Sequence, residues 1–320
     1  EWKQQLFLLF QLSGGRAMET SLLGEPLSEK EVSQPEATYA RVAKLADAKI
    51  SAPFAVQFIQ GVLAGATLSL GAMNANLVEA SVKASASPTL SNLYGGAVFP
   101  VGLIGIFLTG ANLFTGNCMY FVPSFLNGTV PRWRSLLFLL VSFASNFIGA
   151  AIVTYLLGYQ ADYFSKDPAR AFVIENAEKK CNLGWGVALL RGIGANWLVC
   201  LGWWQALSAE RDDTIAKIFA VWWPTFTFTA IGFEHSIANM FYVDIGLMAG
   251  ANASFGQFLW RNLLPVAIGN FIGGAGFVGF TQYLAYDARG LKHDWCARIS
   301  ARCRARRREA SDETGFDIVQ

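Results

Sequence analysis

One uncharged stretch constrains this chain more than any other feature of its sequence. Residues 84–131 are 48 consecutive positions without a Lys, Arg, Asp or Glu. A helix rises about 1.5 Å per residue, so about 20 apolar residues cross the roughly 30 Å hydrocarbon core of a bilayer. Shorter uncharged runs of suitable length for spans or half-spans cover 50–78, 135–161, 192–209, 218–233, 245–260 and 262–286. The sequence therefore predicts an all-α membrane protein.

The runs predict six transmembrane helices, two of them interrupted. The first helix is expected from Pro53 to about Met73, and the fourth from about Leu183. The run 84–131 is too long for one helix, so the second span is expected to be broken. The runs 218–233 and 245–260 flank a polar insert, so the fifth span is expected to be broken as well.

Composition excludes several other classes of protein. Charged residues make up 15% of the chain, against about 25% in a typical soluble protein. The net charge of +2 provides no basic surface for nucleic acid. The five cysteines include no C-x-x-C pair, so we expect no disulfide framework, no metal site and no cofactor. We do not expect an enzyme, because one histidine beside one glutamate supplies no nucleophile–base pair.

Charged residues concentrate in two terminal tails, 1–48 and 288–320, around a predicted six-helix transport domain of residues 49–287. Six arginines lie between Arg298 and Arg308. By the positive-inside rule this end is cytosolic, and six spans return the N-terminus to the same side. Binding of anionic lipid headgroups is an alternative role for the arginines. We expect an integral protein of the plasma membrane with both termini in the cytosol.

The two interruptions lie in similar motifs, Gly110-Ala-Asn-Leu-Phe-Thr-Gly-Asn117 and Gly232-Phe-Glu-His-Ser-Ile-Ala-Asn239. Glycine frees the backbone from helical geometry, and the asparagine is expected to cap the restarting helix. Broken backbone at membrane depth must be buried in protein or line a cavity, because lipid cannot satisfy its N–H and C=O groups. Both breaks are therefore predicted to face one central pathway. Simple hinges between an interfacial helix and a span are the alternative.

Three ordered matches indicate an internal repeat. Residues 61–71 resemble residues 192–202 at an offset of 131, and the two broken motifs lie 122 residues apart. Asn146-Phe-Ile-Gly-Ala150 matches Asn270-Phe-Ile-Gly-Gly274 at an offset of 124. A three-helix repeat crosses the bilayer an odd number of times, so its second copy must be inverted. Inverted repeats with discontinuous helices are typical of transporters and channels.

The second broken motif contains the strongest candidate for chemistry within the membrane. His235 is one of only two histidines, and ionisable groups at this depth usually mark an ion or proton route. A neutral His235 is able to donate a hydrogen bond to a passing carboxylate, or only to satisfy backbone groups freed by the break. Glu234 is interpreted as a structural carboxylate and not as a proton carrier. Thr115, in the first motif, offers a hydroxyl to a permeant.

Apolar side chains cluster near both breaks, and two lysines lie at equivalent ends of the repeats. The apolar residues are Phe99, Leu103, Leu113, Phe114, Val199 and Phe228. They either pack in the core or form a hydrophobic constriction that rejects ions. Lys49 precedes the first span and Lys180 the fourth. Each lysine alone is typical of an anchor at the membrane surface. As a pair, they predict cationic vestibules that attract anions.

At these positions the sequence resembles the formate–nitrite transporter family. The string from Gly232 to Phe241 matches the signature of that family's fifth helix, and Leu113-Phe-Thr115 matches its second-helix loop. Arg261 to Asn270 resembles its sixth-helix motif, and Ala177-Glu-Lys-Lys180 the lysine before its fourth helix. The resemblance covers about residues 45–287. It is closest to the eukaryotic parasite branch, which exports lactate with protons.

The resemblance implies an aquaporin-like fold and a homopentamer in which every protomer has its own pore. It implies transport of small monocarboxylates such as lactate, formate, pyruvate and acetate. By the same resemblance, His235 is the central histidine, Asn196 and Asn270 are polar pore residues, and Lys49 and Lys180 are the vestibule lysines. The six apolar residues named above correspond to two constrictions. The first 45 residues have no counterpart in the family pattern.

The energetics of charge favour a substrate that crosses as the neutral acid. Taking a carboxylate into a dry constriction costs several kcal/mol or more. Protonating an acid with a pKa near 4 at pH 7 costs roughly 4 kcal/mol. The sequence therefore predicts proton-coupled symport, with the proton taken from water or through His235. The alternatives are an anion-conducting channel for formate or nitrite, and a water or glycerol channel, although the chain lacks the paired Asn-Pro-Ala signature of the latter.

Overall fold

The computed structural model describes residues 35–287, and every regular element in this range is a helix. Five described helical segments are long and apolar enough to cross a membrane: Phe54–Ser85, Thr89–Thr109, Arg132–Gln160, Trp185–Ser208 and Phe255–Tyr286. The bent pair Thr214–Ile231 and Ser236–Ala249 gives a sixth if it counts as one span. The all-α membrane class is thereby confirmed. The predicted C-terminal tail and residues 1–34 of the predicted N-terminal tail lie outside the described residues.

The helices follow one another with short connections. Their bounds are α1 Pro35–Ser51, α2 Phe54–Ser85, α3 Pro88–Val98, α4 Pro100–Thr109, α5 Phe114–Asn127, α6 Arg132–Gln160, α7 Ala169–Cys181, α8 Trp185–Ser208, α9 Thr214–Ile231, α10 Ser236–Ala249 and α11 Phe255–Tyr286. Three segments are π-helical: Thr154–Gln160 at the end of α6, and Phe258–Leu263 and Ile272–Phe280 within α11.

Several predicted bounds were wrong. Helix α2 continues to Ser85 instead of ending near Met73, because its last turns face a polar cavity and tolerate Glu79 and Lys83. The run 245–260 is not one helical segment: α10 ends at Ala249, followed by Gly250 in the left-handed region with φ 105°. Uncharged length alone does not detect such a turn.

Two helices were not predicted from the sequence at all. Helix α1 crosses the expected boundary between residues 48 and 49, and α7 lies between the predicted third and fourth spans. Both are rich in polar residues, so a search for apolar runs misses them. Each packs one apolar side against the bundle: Val42 and Ala46 of α1 are buried, as are Val173 and Ala177 of α7.

Both predicted breaks are present. Helix α4 is followed by Gly110, with φ 73°, and α9 is followed by Gly232, with φ 80°. A residue with a Cβ rarely adopts this left-handed geometry, which explains glycine at the head of each motif. The two halves of the second broken span are bent by 49°.

The expected asparagine caps were wrong. The N-cap positions of α5 and α10 are occupied by Leu113 and His235. Asn117 and Asn239 lie one turn further along, where their backbone N–H groups donate to the carbonyls of those capping residues in ordinary helical bonds. Their side chains are used elsewhere: Asn117 donates to Ser142, and Asn239 donates to Glu234 and Asn262.

A buried asparagine holds each break in place. In the first half of the chain, Asn146 on α6 donates through Nδ2 to the carbonyls of Gly61, at 2.8 Å, and Asn112, at 2.9 Å. Its Oδ1 accepts the backbone N–H of Phe114 at 2.8 Å. This single side chain therefore satisfies both a carbonyl and an N–H of the broken backbone, as a low-dielectric environment requires.

Asn270 on α11 forms the same set of bonds in the second half. Its Nδ2 donates to the carbonyls of Gly192, at 2.8 Å, and Glu234, at 3.0 Å, and its Oδ1 accepts the N–H of Ser236 at 2.8 Å. The partners correspond at the offsets found in the sequence: Gly192 follows Gly61 by 131 residues, and Glu234 and Ser236 follow Asn112 and Phe114 by 122 residues. The four-residue matching string therefore corresponds to an equivalent structural role.

Close helix contacts also occur in matched pairs. Gly149 on α6 lies against the backbone of α2 at Val62, and Gly273 on α11 lies against the backbone of α8 at Ile193. A Cβ at either glycine would overlap that backbone, so only glycine permits this approach. The outer surface is apolar, with Leu140 67% exposed and Trp260 66% exposed. Such side chains suit a lipid or protein environment better than water.

Candidate substrate pathway

His235 lies at the second break with both ring nitrogens engaged. Its Nδ1 accepts the backbone N–H of Ala238 at 3.2 Å, and its Nε2 lies 3.0 Å from Thr115 Oγ1. A nitrogen that accepts an N–H bond carries no proton, so the neutral ring holds its proton at Nε2 and donates to the threonine hydroxyl. The two broken motifs thus meet at this hydrogen bond.

Aromatic rings enclose the imidazole on one side. Phe228 stacks on His235 with ring centroids 5.7 Å apart and an interplanar angle of 16°. Phe99 meets Phe228 edge-on at 5.8 Å, and Tyr242 lies 6.3 Å from Phe99. Phe99, Phe228 and His235 are each at most 2% exposed. An ion at this position loses its water shell with few polar groups to replace it.

A cavity of about 100 Å³ leads from this aromatic group toward one face of the protein. Its walls include His235, Phe99 and Phe228 at one end. Five charged residues line the remainder: Glu79, Lys179, Lys180, Arg191 and Glu234. The cavity therefore joins a region lined by charged residues, the vestibule, to the aromatic group around His235.

Glu234 and Lys180 form a buried ion pair in this vestibule. Lys180 Nζ lies 3.1 Å from both carboxylate oxygens of Glu234 and 5.3 Å from the ring centroid of Tyr242. Glu234 also accepts hydrogen bonds from Asn239 at 2.7 Å and from Asn262 at 3.3 Å. Three side chains, Lys180, Asn239 and Asn262, therefore hold the Glu234 carboxylate in a fixed position.

Lys49 occupies the corresponding place in the first half, with different partners. Its Nζ donates to the carbonyl of Gly110 at 2.7 Å and to Asn112 Oδ1 at 2.9 Å, and it lies 5.8 Å from the ring of Tyr120. Burial lowers the pKa of Lys49 to about 8. Asn112 stands where the second half has Glu234, so the two lysine sites differ by one negative charge.

The two asparagines expected in the pore are both bonded to backbone. Asn196 donates to the carbonyls of Thr115, at 3.0 Å, and Asn270, at 2.6 Å. Asn270 holds the second break, as described above. These bonds fix the position of the Thr115 backbone beside His235. A direct contact of either amide with a permeant stays a prediction.

The structure distributes the predicted constriction residues over more than one region. Phe99 and Phe228 line the His235 cavity, and Leu103, Leu113 and Val199 are at most 1% exposed within the core. Phe114 packs edge-on against Phe143 at 5.0 Å. Its ring lines an outward-facing apolar groove between α6 and α11, separate from the residues that line the His235 cavity.

Sequence reasoning missed three residues of this region. Glu79 was overlooked because it terminates an uncharged run, although an acid at the end of an apolar helix is itself a signal. Asn112 lies inside the first motif, and its alignment with Glu234 was available from the 122-residue offset. Tyr242 carried no signal beyond its position one turn after the second motif.

The described part of the chain contains free thiols but no cluster of metal ligands. Cys118, Cys181 and Cys200 are free and buried. Within residues 35–287, no three side chains of His, Cys, Asp or Glu come together in a group able to hold a metal ion.

Comparison with known proteins identifies the family. Residues 36–284 match the profile of the formate/nitrite transporter family. The chain belongs to this family. It is 35% identical over 273 residues to a probable formate transporter of Methanothermobacter thermautotrophicus, a match that covers 79% of this chain and 96% of the relative. It is 38% identical over 196 residues to formate-nitrite transporter 2 of Toxoplasma gondii, covering 61% of this chain and 42% of that protein.

A solved structure shares the architecture. It is described as a pentameric formate channel with formate bound, and it superposes with a TM-score of 0.63 at 26% identity, covering 72% of this chain and 96% of the other. Members of the formate/nitrite transporter family are transporters and channels. This chain is therefore an integral membrane protein that transports small anions across the membrane, and it is not an enzyme. The chain is similar in identity to the Methanothermobacter relative and to the Toxoplasma relative, so the predicted lactate-exporting branch stays a proposal.

Proposed function

We propose that this formate/nitrite transporter moves small monocarboxylates together with protons, and that each substrate crosses the centre as the neutral acid. Lactate, formate, pyruvate and acetate share the chemistry that the site requires, which is one carboxylate on a small body. Lys49 on one face and Lys180 on the other attract the anion. The acid then passes the aromatic constriction and His235.

The bonding of His235 carries this proposal. Protonation of Nδ1 would break its bond with the Ala238 N–H, so the site opposes a cationic imidazole. A neutral histidine offers an anion one hydrogen bond and no opposite charge. The carboxylate therefore faces a desolvation cost of several kcal/mol, whereas protonation at pH 7 costs roughly 4 kcal/mol. The neutral acid has the lower barrier.

The architecture we propose consists of two inverted three-helix repeats in an aquaporin-like arrangement. Helices α2, α3 to α5 and α6 form one repeat, and α8, α9 to α10 and α11 form the other. The equivalent bonds of Asn146 and Asn270 support this assignment, because chance does not reproduce three matched partners. We also propose location in the plasma membrane, with both termini cytosolic.

We propose a homopentamer with one pore in each protomer. The structural neighbour described as a pentameric formate channel supports this assembly. The vestibule and the central histidine of this protein are supplied by a single chain, which is consistent with independent pores.

Flux measurements in proteoliposomes test the proposed coupling. We expect radiolabelled formate or lactate uptake to accelerate when the outside is made acidic, and internal pH to fall as substrate enters. Uptake that ignores an imposed proton gradient would exclude symport. A panel of monocarboxylates at two pH values identifies the preferred substrate in the same experiment.

Two substitutions separate the transport role of His235 from its structural role. His235→Phe removes the N-cap acceptor and is expected to lose about 1 kcal/mol of stability together with nearly all transport. His235→Asn keeps a good N-cap acceptor and is expected to lose transport at near wild-type stability. Full flux in either variant would remove His235 from the mechanism, and pentamer formation by size-exclusion chromatography serves as the control.

An anion-conducting channel is the second candidate. The structural neighbour with bound formate is described as a channel, and Lys49 gives one vestibule an unpaired positive charge among the described residues. Electrical recording across a planar bilayer distinguishes the two functions. Current that scales with formate concentration supports a channel, and electrically silent flux supports symport.

A further inference from the structure

The carboxylate of Glu79 is unaccounted for in the proposed function. It lies near the end of α2, at the junction of two cavities. The inner cavity contains His235, and an outer one of about 150 Å³ opens beyond it. Both cavities share Glu79, Asn92, Asn176 and Lys179 in their walls. A substrate that enters from this face passes Glu79 before it reaches the histidine.

Glu79 differs from its acidic neighbours in lacking a fixed partner. Glu175 is bonded to Lys83 at 2.6 Å, and Glu234 to Lys180 at 3.1 Å. The carboxylate of Glu79 forms no hydrogen bond or salt bridge with any residue between 35 and 287. It rests against Gly95 of α3, where a Cβ would overlap its Oε1. The chain thus leaves room for this carboxylate and leaves its oxygens open to the cavities.

Charged groups on the surrounding elements make the vestibule sensitive to the state of Glu79. Helix α7 contributes Lys179 and Lys180, α8 contributes Arg191, and the second break contributes Glu234. Tyr242 of α10 faces the same space, and the Lys83–Glu175 pair closes the outer cavity without net charge. Helix α3 presents Ser91, Asn92 and Gly95, none of which titrates.

Proton binding and anion binding are therefore linked at this position. The inner cavity has one net positive charge when Glu79 is ionised and two when it is protonated. A protonated Glu79 strengthens attraction of the vestibule for a carboxylate, and by reciprocity a bound carboxylate favours protonation of Glu79. A fixed ion pair at Glu79 would cancel this coupling.

We propose that Glu79 is the residue at which proton and monocarboxylate meet on the Lys180 face. The substrate carboxylate enters beside Lys179 and the neutral Glu79 carboxyl group. The O–H bond of Glu79 breaks as an O–H bond forms on the substrate, which leaves a neutral acid and a Glu79 carboxylate. Water from the adjoining solution supplies the next proton to Glu79. This inference rests on the proposed symport and assigns one of its steps.

The test compares Glu79→Gln with wild type across pH in proteoliposomes, with labelled formate as the substrate. Without the relay, only acid molecules already protonated in solution are able to cross, and these are about one in a thousand at pH 7. We expect at least a tenfold loss of flux at pH 7, and a defect that shrinks steadily as the pH approaches 4. Acetate, a weaker acid, is expected to show a smaller loss than formate.

Glu175→Gln is the matched control, because it removes a carboxylate from the same entrance that is already paired with lysine. We expect the ratio of its flux to the wild-type flux to stay constant across pH. If Glu79→Gln shows the same pH-independent ratio, the role of Glu79 is overturned while symport stands. If wild-type uptake carries no protons, both proposals fail together.

A shorter carboxylate protects the test against misfolding. Glu79→Asp keeps a titratable group in the cavity and is expected to restore flux at pH 7 to at least half of wild type. An aspartate variant that assembles as a pentamer yet retains the full glutamine defect overturns the proposal.

Discussion

Lys49 and Lys180 occupy equivalent positions in the two halves, but among the described residues only Lys180 is paired with a carboxylate. Lys180 is paired with Glu234, whereas Lys49 is bonded to the neutral oxygens of Gly110 and Asn112. The offset of 131 residues predicted the equivalence of the lysines. It did not predict their difference, because the identity of the partner depends on which loop folds against each lysine.

The low pKa of Lys49 predicts a pH effect on one face of the transporter. With a pKa near 8, Lys49 is mostly charged at pH 7 and about ten parts neutral to one part charged at pH 9. Lys49→Arg keeps its charge throughout this range. We therefore expect the KM on the Lys49 face to rise between pH 7 and pH 9 by a larger factor in wild type than in the arginine variant.

Zero-trans flux from each face measures this effect. Dividing the KM of wild type by the KM of Lys49→Arg at each pH removes the contribution of substrate protonation, because that contribution is the same for both proteins. Lys180→Arg is the control on the opposite face. A wild-type to Lys49→Arg ratio that does not change between pH 7 and pH 9 would show that the charge of Lys49 contributes nothing to substrate capture.

At the scale of the helices, uncharged length and glycine positions predicted more of the fold than polar composition did. Both breaks were predicted because glycine with positive φ leaves a sequence signature. Helices α1 and α7 were missed because both are rich in polar residues, so a search for long uncharged runs passes over them even though α1 buries Val42, Ala46 and Ile50 at helical spacing. The capping residues were predicted wrongly because caps depend on where the helix restarts, and here that place is set by the bonds of Asn146 and Asn270.

These two asparagines give the clearest prediction about stability. Replacing Asn146 or Asn270 by alanine leaves buried carbonyl and N–H groups of a break without partners. Each unsatisfied buried group costs about 1–3 kcal/mol, so we expect either substitution to lower the thermal unfolding midpoint markedly in detergent. Because both side chains form the same three bonds, the two losses are expected to be similar.

Asn127→Ala is a suitable comparison for these variants, since Asn127 bonds Asp287 at the exposed end of α5 and supports no break. It is expected to unfold within a degree or two of wild type. Equal midpoints for Asn127→Ala, Asn146→Ala and Asn270→Ala would mean that the breaks do not depend on their asparagines.

At the scale of the whole molecule, the arrangement of the pathway predicts whether transport by one subunit depends on the others. Residues from α2, α7, α8, α9 and α10 of one chain line the vestibule, and Thr115 of the same chain meets His235. A pore built within each protomer transports independently of its neighbours, whereas a pore shared by five chains is blocked by one defective subunit. The two arrangements therefore respond differently when active and inactive chains are mixed.

Co-expression of wild type with differently tagged His235→Asn chains tests this independence. We expect flux per pentamer to fall in direct proportion to the fraction of wild-type chains, because each intact protomer keeps its own histidine, constriction and lysines. At equal amounts of the two chains, independent pores give about half of the wild-type flux. If the pore were shared, only pentamers with five intact chains would be active. Flux would then fall as about the fifth power of the wild-type fraction. Tag ratios in purified pentamers fix the composition, and a steep curve would contradict independent pores without affecting the assignment of His235.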